Sequence, residues 1–123
     1  MTEKQIETSI LTYLNHQPNT LAFKINTTGV FDPTRKVFRK NKNPFIIPGC
    51  SDILGLHAGR FFAIEVKTPQ AYKRIVKSLT LPPSDMRQKA FLEKVSHRGG
   101  LSLLAYSLDQ VIEWFEKNVR KMY

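Results

Sequence analysis

Hydrophobic positions along the chain switch between two periods, and the switches divide it into elements. From Thr2 to His16, the residues Ile6, Ile10, Leu11, Tyr13 and Leu14 recur at helical spacing, with Thr2 where a cap would stand. Gln17-Pro18-Asn19-Thr20 breaks this pattern. Leu21 to Asn26 then alternates as a strand does, Leu21, Phe23 and Ile25 on one side and Ala22, Lys24 and Asn26 on the other. Thr27 to Gly29 reads as a turn, and Val30 to Pro48 as an irregular segment rich in cations and rings. Two short apolar runs next flank His57-Ala58-Gly59-Arg60, which predicts a β-hairpin. Thr68 to Pro83 is a long connection, helical in part around Tyr72 to Leu79. A helix begins at Ser84 after two prolines and ends at Gly99-Gly100, with Phe91, Leu92 and Val95 in a stripe that includes Gln88. Leu101 to Tyr106 is nearly all apolar, as a buried strand is, and Ser107 caps a last helix that turns Leu108, Val111, Ile112, Phe115 and Val119 inward. The order αβββαβα predicts an α/β fold on a mixed sheet, the helical crossover allowing the last strand to pair in parallel.

The hairpin carries the chemistry. With Ala58-Gly59 at its tip, His57 faces Arg60 and Asp52 falls opposite Glu65. Cross-strand neighbours lie about 4.5–5.5 Å apart at Cβ, so two carboxylates meet on one face. Alternation puts Phe61, Ala63, Glu65 and Lys67 on that face and Phe62, Ile64 and Val66 on the other. Like charges set opposite each other destabilise a sheet, so the pair needs a counter-charge. Lys67 supplies part, and a hard divalent cation such as Mg²⁺, which takes oxygen ligands, would supply more.

Composition narrows the partners. The chain has 123 residues, 41% apolar and 11% aromatic, which predicts one globular domain. No apolar run approaches the roughly 20 residues of a membrane span, and the polar start carries no sign of a signal peptide. A single cysteine, Cys50, excludes an internal disulfide and a cysteine-rich zinc site and fits a reducing cytoplasm. It sits near Asp52, but no patterned histidine accompanies it to make it a nucleophile. The net charge is +9, the footprint of a nucleic-acid binder. Arg35, Lys36, Arg39, Lys40 and Lys42 form one acid-free cluster, and Lys73, Arg74 and Lys77 a second, and these eight are the expected DNA contacts. Phe31, Phe38 and Phe45 are interleaved with the first cluster, as rings that stack on unpaired bases, or equally rings that pin the loop to the core, would be.

Asp52, a spacer of twelve residues and Glu65-Val66-Lys67 resemble the signature of PD-(D/E)XK nucleases. The wider run resembles, more specifically, the VRR-NUC (virus-type replication-repair nuclease) family: Ser-Asp-Ile-Leu-Gly, then Gly-Arg-Phe-Phe-Ala-Ile-Glu-Val-Lys-Thr-Pro, then Gln-Lys-Ala-Phe-Leu-Glu-Lys-Val and Gly-Gly. The likeness spans nearly the whole chain and is to the stand-alone form found in phages and bacteria. One position departs: Ser51 stands where the family has the Pro of its signature, a residue that shapes backbone and binds nothing.

The resemblance implies a restriction-endonuclease-like αβββαβ core with a mixed sheet and an added C-terminal helix. It implies that Asp52, Glu65 and the Val66 carbonyl bind Mg²⁺ or Mn²⁺, with Glu7 as the first-helix acid and Glu3 as its substitute. It implies that Lys67 orients or helps deprotonate the attacking water and steadies charge on the phosphate, and that Gln88 lies near the site. The activity it implies is metal-dependent endonucleolytic cleavage of branched DNA, four-way junctions above all, by a homodimer. Trp114, Tyr123 and the Phe31–Phe45 loop are candidates for the dimer surface. A nuclease of the same fold acting on flaps or without structural preference is the nearest alternative. A non-catalytic basic module, or a basic subunit that binds proteins, would share the charge but not the need for the Asp52/Glu65/Lys67 set.

Overall fold

The structure, a computed structural model, describes residues 1–25, 30–39, 45, 47 and 49–120, and of residues 30–32 and 37–39 the backbone alone. The elements are α1 (Glu3–Asn15), β1 (Thr20–Lys24), β2 (Val30–Asp32), β3 (Val37–Arg39), β4 (Ile53–His57), β5 (Arg60–Val66), α2 (Pro69–Lys77), α3 (Pro83–His97), β6 (Leu101–Ala105) and α4 (Leu108–Trp114). The last helix runs on as a π-helical stretch, Phe115–Val119. Four strands form one mixed sheet in the order β1-β4-β5-β6, with β5 and β6 parallel and the other pairs antiparallel.

Local chemistry starts each element that positions the hairpin. Thr2 and Gln5 make a reciprocal capping box at α1: the Gln5 N–H donates to Thr2 Oγ1 (3.2 Å) and the Thr2 N–H to Gln5 Oε1 (2.8 Å). At the β4–β5 tip Ala58 and Gly59 take φ of 49° and 84°, the left-handed pair that matches strand twist in a two-residue turn. The Ala58 N–H donates to Asn19 O at 2.8 Å and so ties the tip to the α1–β1 connection. In the crossover, Thr68 caps α2 by accepting from the Ala71 N–H (3.2 Å), with Pro69 in its first turn.

The sheet is covered unequally. On one face α1 and α4 bury Ile6, Ile10, Leu14, Val111 and Phe115 against Ile53, Phe62, Ile64 and Val66. On the other, α3 covers β5 and β6 with Phe91 and Leu92 packed on Ala63. That helix does not reach across β1 and β4, so Leu21, Phe23 and Leu56 stand exposed there. On β1 the small Ala22 is the buried residue, and the apolar alternation of Leu21 and Phe23 points away from α1.

Two elements depart from the sequence pattern. Val30 to Pro48 was expected to be irregular, yet β2 and β3 pair antiparallel around a turn at residues 33–36, where Lys36 has φ of 55°. Strands of three residues are too short to show a period. The long connection after the hairpin is helical in part, as expected around Tyr72 to Leu79, but its helix, α2, spans Pro69–Lys77, begun by its own cap and proline. The Thr27–Gly29 turn lies outside the described residues.

Gly55 is required by close approach. A Cβ at this position would meet the Phe62 ring and, at 2.6 Å, the Leu21 carbonyl oxygen. Gly55→Ala is expected to destabilise the protein by about 1–3 kcal/mol through overpacking, read as a lower midpoint in urea unfolding. An unchanged midpoint would contradict the tight β1–β4–β5 packing.

Candidate active site

The hairpin register places the acids. Ile53 pairs with Ile64 and His57 with Arg60, so Asp52, the residue before β4, stands beside Glu65 near the end of β5. Backbone hydrogen bonds bind the two acids reciprocally. The Asp52 N–H donates to Glu65 Oε2 (3.2 Å), and the Val66 N–H donates to Asp52 Oδ2 (3.0 Å). Glu65 is 1% exposed. Lys67 follows on the same side, its Nζ 3.9 Å from Glu65 Oε1 and 3.5 Å from Asp85 Oδ1. Its own N–H donates to Ala105 O (2.8 Å), which continues the β5–β6 ladder past the last strand residue.

The arrangement is short of positive charge. Burial first, and the Asp52 carboxylate second, push the Glu65 carboxyl up to about 9, against the opposing pull of Lys67. Two facing carboxylates with this surplus suit a hard cation, and Mg²⁺ typically uses one or two carboxylates and keeps waters and phosphate oxygens as its other ligands. Among the described residues no three His, Cys, Asp or Glu side chains gather as a ligand cluster.

The other expected site residues fall into two groups. Gln88 is brought close: it lines a cavity of about 340 Å³ together with Lys67, Asp85 and Leu104, and its buried Oε1 has no hydrogen-bond partner among the described residues. Glu7 is buried on the α1 side of the sheet, where its Oε1 pairs with Lys24 Nζ at 2.8 Å. In the register Lys24 lies beside Ile53, on the face opposite the Asp52/Glu65 pair. Glu3, also on α1, has its carboxyl raised. Desolvation raises its carboxyl most, Lys67 opposes this, and Asp52 and Glu7 add to it.

The basic clusters are only partly visible. Lys73, Arg74 and Lys77 are exposed on α2, which begins two residues after Lys67, and Arg35 and Lys36 are exposed on the β2–β3 turn. The Arg39 side chain, Lys40 and Lys42 lie outside the described residues, as do Tyr123 and the Phe31 and Phe38 side chains. Trp114 packs edge-on against Phe62 (centroids 6.3 Å), and Phe45 is exposed. Cys50 is half-buried, and its thiol is raised chiefly by burial, which disfavours the thiolate a nucleophile needs.

Asp85 is the site residue the sequence did not announce. An acid in the first turn of a helix is common because it meets the helix dipole, and its partner Lys67 is eighteen positions earlier. No signal in the pattern joins them. Comparison with protein-family models and with curated proteins gives no match, so the site stands on its own geometry.

The raised Glu65 carboxyl has a signed consequence for stability. Between the ordinary value of 4.5 and about 9 the folded chain keeps a proton that the unfolded chain has released, so stability falls as pH rises through that window. Glu65→Gln removes the dependence. In chelator its Tm is expected to exceed the parent's by a margin that grows from pH 5 to pH 8 and reaches roughly 5 °C or more. Parallel Tm profiles for the two proteins would refute the buried, protonated Glu65.

Proposed function

We propose that the protein is a metal-dependent DNA endonuclease of the VRR-NUC kind, built on a restriction-endonuclease-like αβββαβ plan. The observation that carries the reading is the pair of buried Glu65 and half-buried Asp52, joined by backbone hydrogen bonds, with Lys67 as its neighbouring cation. A buried acid facing a second acid is rarely kept for stability alone, because an unpaired buried charge costs several kcal/mol.

Phosphodiester hydrolysis requires a nucleophile at neutral pH and relief of charge on the phosphate. Asp52 and Glu65, with the Val66 carbonyl, would hold Mg²⁺ or Mn²⁺, and such an ion supplies a water of lowered pKa and a polarised phosphoryl oxygen. The chain's own residues then orient and balance. Lys67 sets an ammonium beside the acids, where it neutralises charge on the phosphate and directs the water, a role in orientation and electrostatics more than in proton removal. Gln88, half-buried in the cavity it shares with Lys67 and with a buried Oε1 that has no hydrogen-bond partner among the described residues, suits contact with a water or a nucleotide donor near the reacting phosphate. The exposed Lys73, Arg74 and Lys77 continue from the site along α2, and they suit a duplex arm leaving the cut position.

The resemblance adds branched DNA, four-way junctions in particular, as substrate and a homodimer as the acting unit. Two strands are cut at a junction, and a C₂ pair supplies two sites.

The test is cleavage of labelled four-way junction, flap, linear duplex and single-stranded DNA with Mg²⁺, Mn²⁺ or chelator. Metal-dependent cutting of the junction is expected, with Lys67→Ala and Asp52→Asn each lowering the rate by at least about 10²-fold while junction binding persists. Binding with a steep salt slope but no cutting under any metal would defeat the enzymatic reading and leave a basic nucleic-acid-binding module.

A further inference from the structure

We propose that Asp85 is a positioning residue for Lys67: its carboxylate, delivered by the first turn of α3, anchors the ammonium beside Glu65. The inference rests on the reading of Lys67 as part of a phosphodiesterase site and names a residue that reading did not contain.

Lys67 lies one residue beyond β5 and has a long, flexible stem, so backbone pairing alone does not fix its nitrogen. The carboxylate nearer to that nitrogen belongs to Asp85, at 3.5 Å, with Glu65 at 3.9 Å. The contact is sheltered, with the Lys67 side chain 15% and the Asp85 side chain 10% exposed. An exposed pair of this length would contribute little, but a sheltered one restricts both partners.

The ordinary explanation for Asp85 is service to its own helix. Yet α3 starts from Pro82 with no side-chain cap, and Asp85 is turned inward, 9% exposed. Its direction is set by packing. Phe91 and Leu92, farther along α3, are buried on Ala63 of β5, and this contact fixes the helix's rotation about its axis. That rotation presents Asp85 and, one turn later, Gln88 to Lys67, and all three line one cavity.

Glu65 is a shared and more distant partner for Lys67. Its Oε1 lies 3.9 Å from the ammonium, its Oε2 accepts the Asp52 N–H, and in the proposed reaction the same carboxylate is a metal ligand. Asp85 is not one of the residues that the proposed reaction gives to the metal, and it lines one cavity with Lys67. It is therefore available to keep the ammonium in place throughout, which prevents Lys67 from following its own attraction to solvent or DNA.

Asp85→Asn keeps the shape and removes the charge. Acetylation of the metal-free protein in chelator, read by mass spectrometry, is expected to show Lys67 protected relative to Lys73 and Lys77. In Asp85→Asn the Lys67 rate should rise several-fold while the other two stay unchanged. With junction and Mg²⁺, kcat should fall between roughly 10- and 100-fold with KM unchanged, and Asp85→Glu should recover part of the loss. If Asp85→Asn fails to fold by circular dichroism, Asp85→Ser serves in both assays, since Ser suits the start of a helix. Unchanged Lys67 labelling overturns the proposal, as does raised labelling with unchanged kcat. If the parent protein cuts no DNA, the nuclease reading falls, and the labelling arm still decides whether Asp85 anchors Lys67.

Discussion

The structure depends on a pair of carboxylates that would repel each other if the backbone did not hold them. Asp52 and Glu65 each accept a main-chain N–H from the neighbouring strand segment, so the hairpin that brings the acids together also satisfies them. What the backbone does not supply is charge, and burial beside Asp52 leaves Glu65 holding a proton far above the usual carboxylate range. The arrangement depends on register. A slip of one residue would carry Glu65 to the α1 face and Ile64 to its place, because strand side chains alternate. Ala58 and Gly59, far from any chemistry, therefore determine where the acids lie: their left-handed φ values close a two-residue turn and set His57 against Arg60.

That dependence on a local turn explains what could be read in the sequence. The tip residues are contiguous, so the pairing of Asp52 with Glu65, the shared face of Lys67 and the opposite face of Phe62, Ile64 and Val66 followed from spacing alone. The Thr2 and Ser107 caps and the parallel pairing of β6 were legible for the same reason: each depends on a few neighbouring residues or on a crossover rule. What escaped depends on long-range packing. Nothing in Leu21-Ala22-Phe23 tells which side α1 will cover, and the smaller side chain proved to be the buried one. Asp85 meets Lys67 only because Phe91 and Leu92 lock α3 in one rotation, and no local pattern encodes that. The β2–β3 hairpin was missed because three residues do not make a period.

The two faces of the sheet divide the work. The face under α1 and α4 holds the large apolar cluster, with Phe62, Phe115, Ile10 and Leu14 essentially without exposure. The face under α3 buries few apolar groups and carries Asp52, Glu65, Lys67 and Asp85 instead. Buried charge is costly unless paired, and here it is paired incompletely, so this face contributes less to stability than its burial suggests. The deep core opposite sustains that cost. Since β5 belongs to both faces, the residues that most stabilise the fold (Phe62, Ile64 and Val66) alternate with those that most strain it.

Charge follows a similar asymmetry along the chain. The protein carries a net charge of +9, yet the most buried of its described ionisable groups is an acid, Glu65, at the end of one hairpin beside the half-buried Asp52. An acidic point within a basic surface acts differently on the two kinds of ligand. On the nuclease reading, phosphates would be drawn to the exposed cations of α2 and the β2–β3 turn, while a small divalent cation would gain most beside buried Glu65, where low dielectric strengthens each interaction. Neither ligand suffices on the nuclease reading: the cations would attract DNA without cutting it, and the carboxylates alone would repel it. Lys67 sits where the two regimes meet. With Asp85 at its side it can remain there as the phosphate approaches, and the sequence step from Lys67 through Thr68 to α2 makes that meeting point continuous with the surface that would receive the DNA.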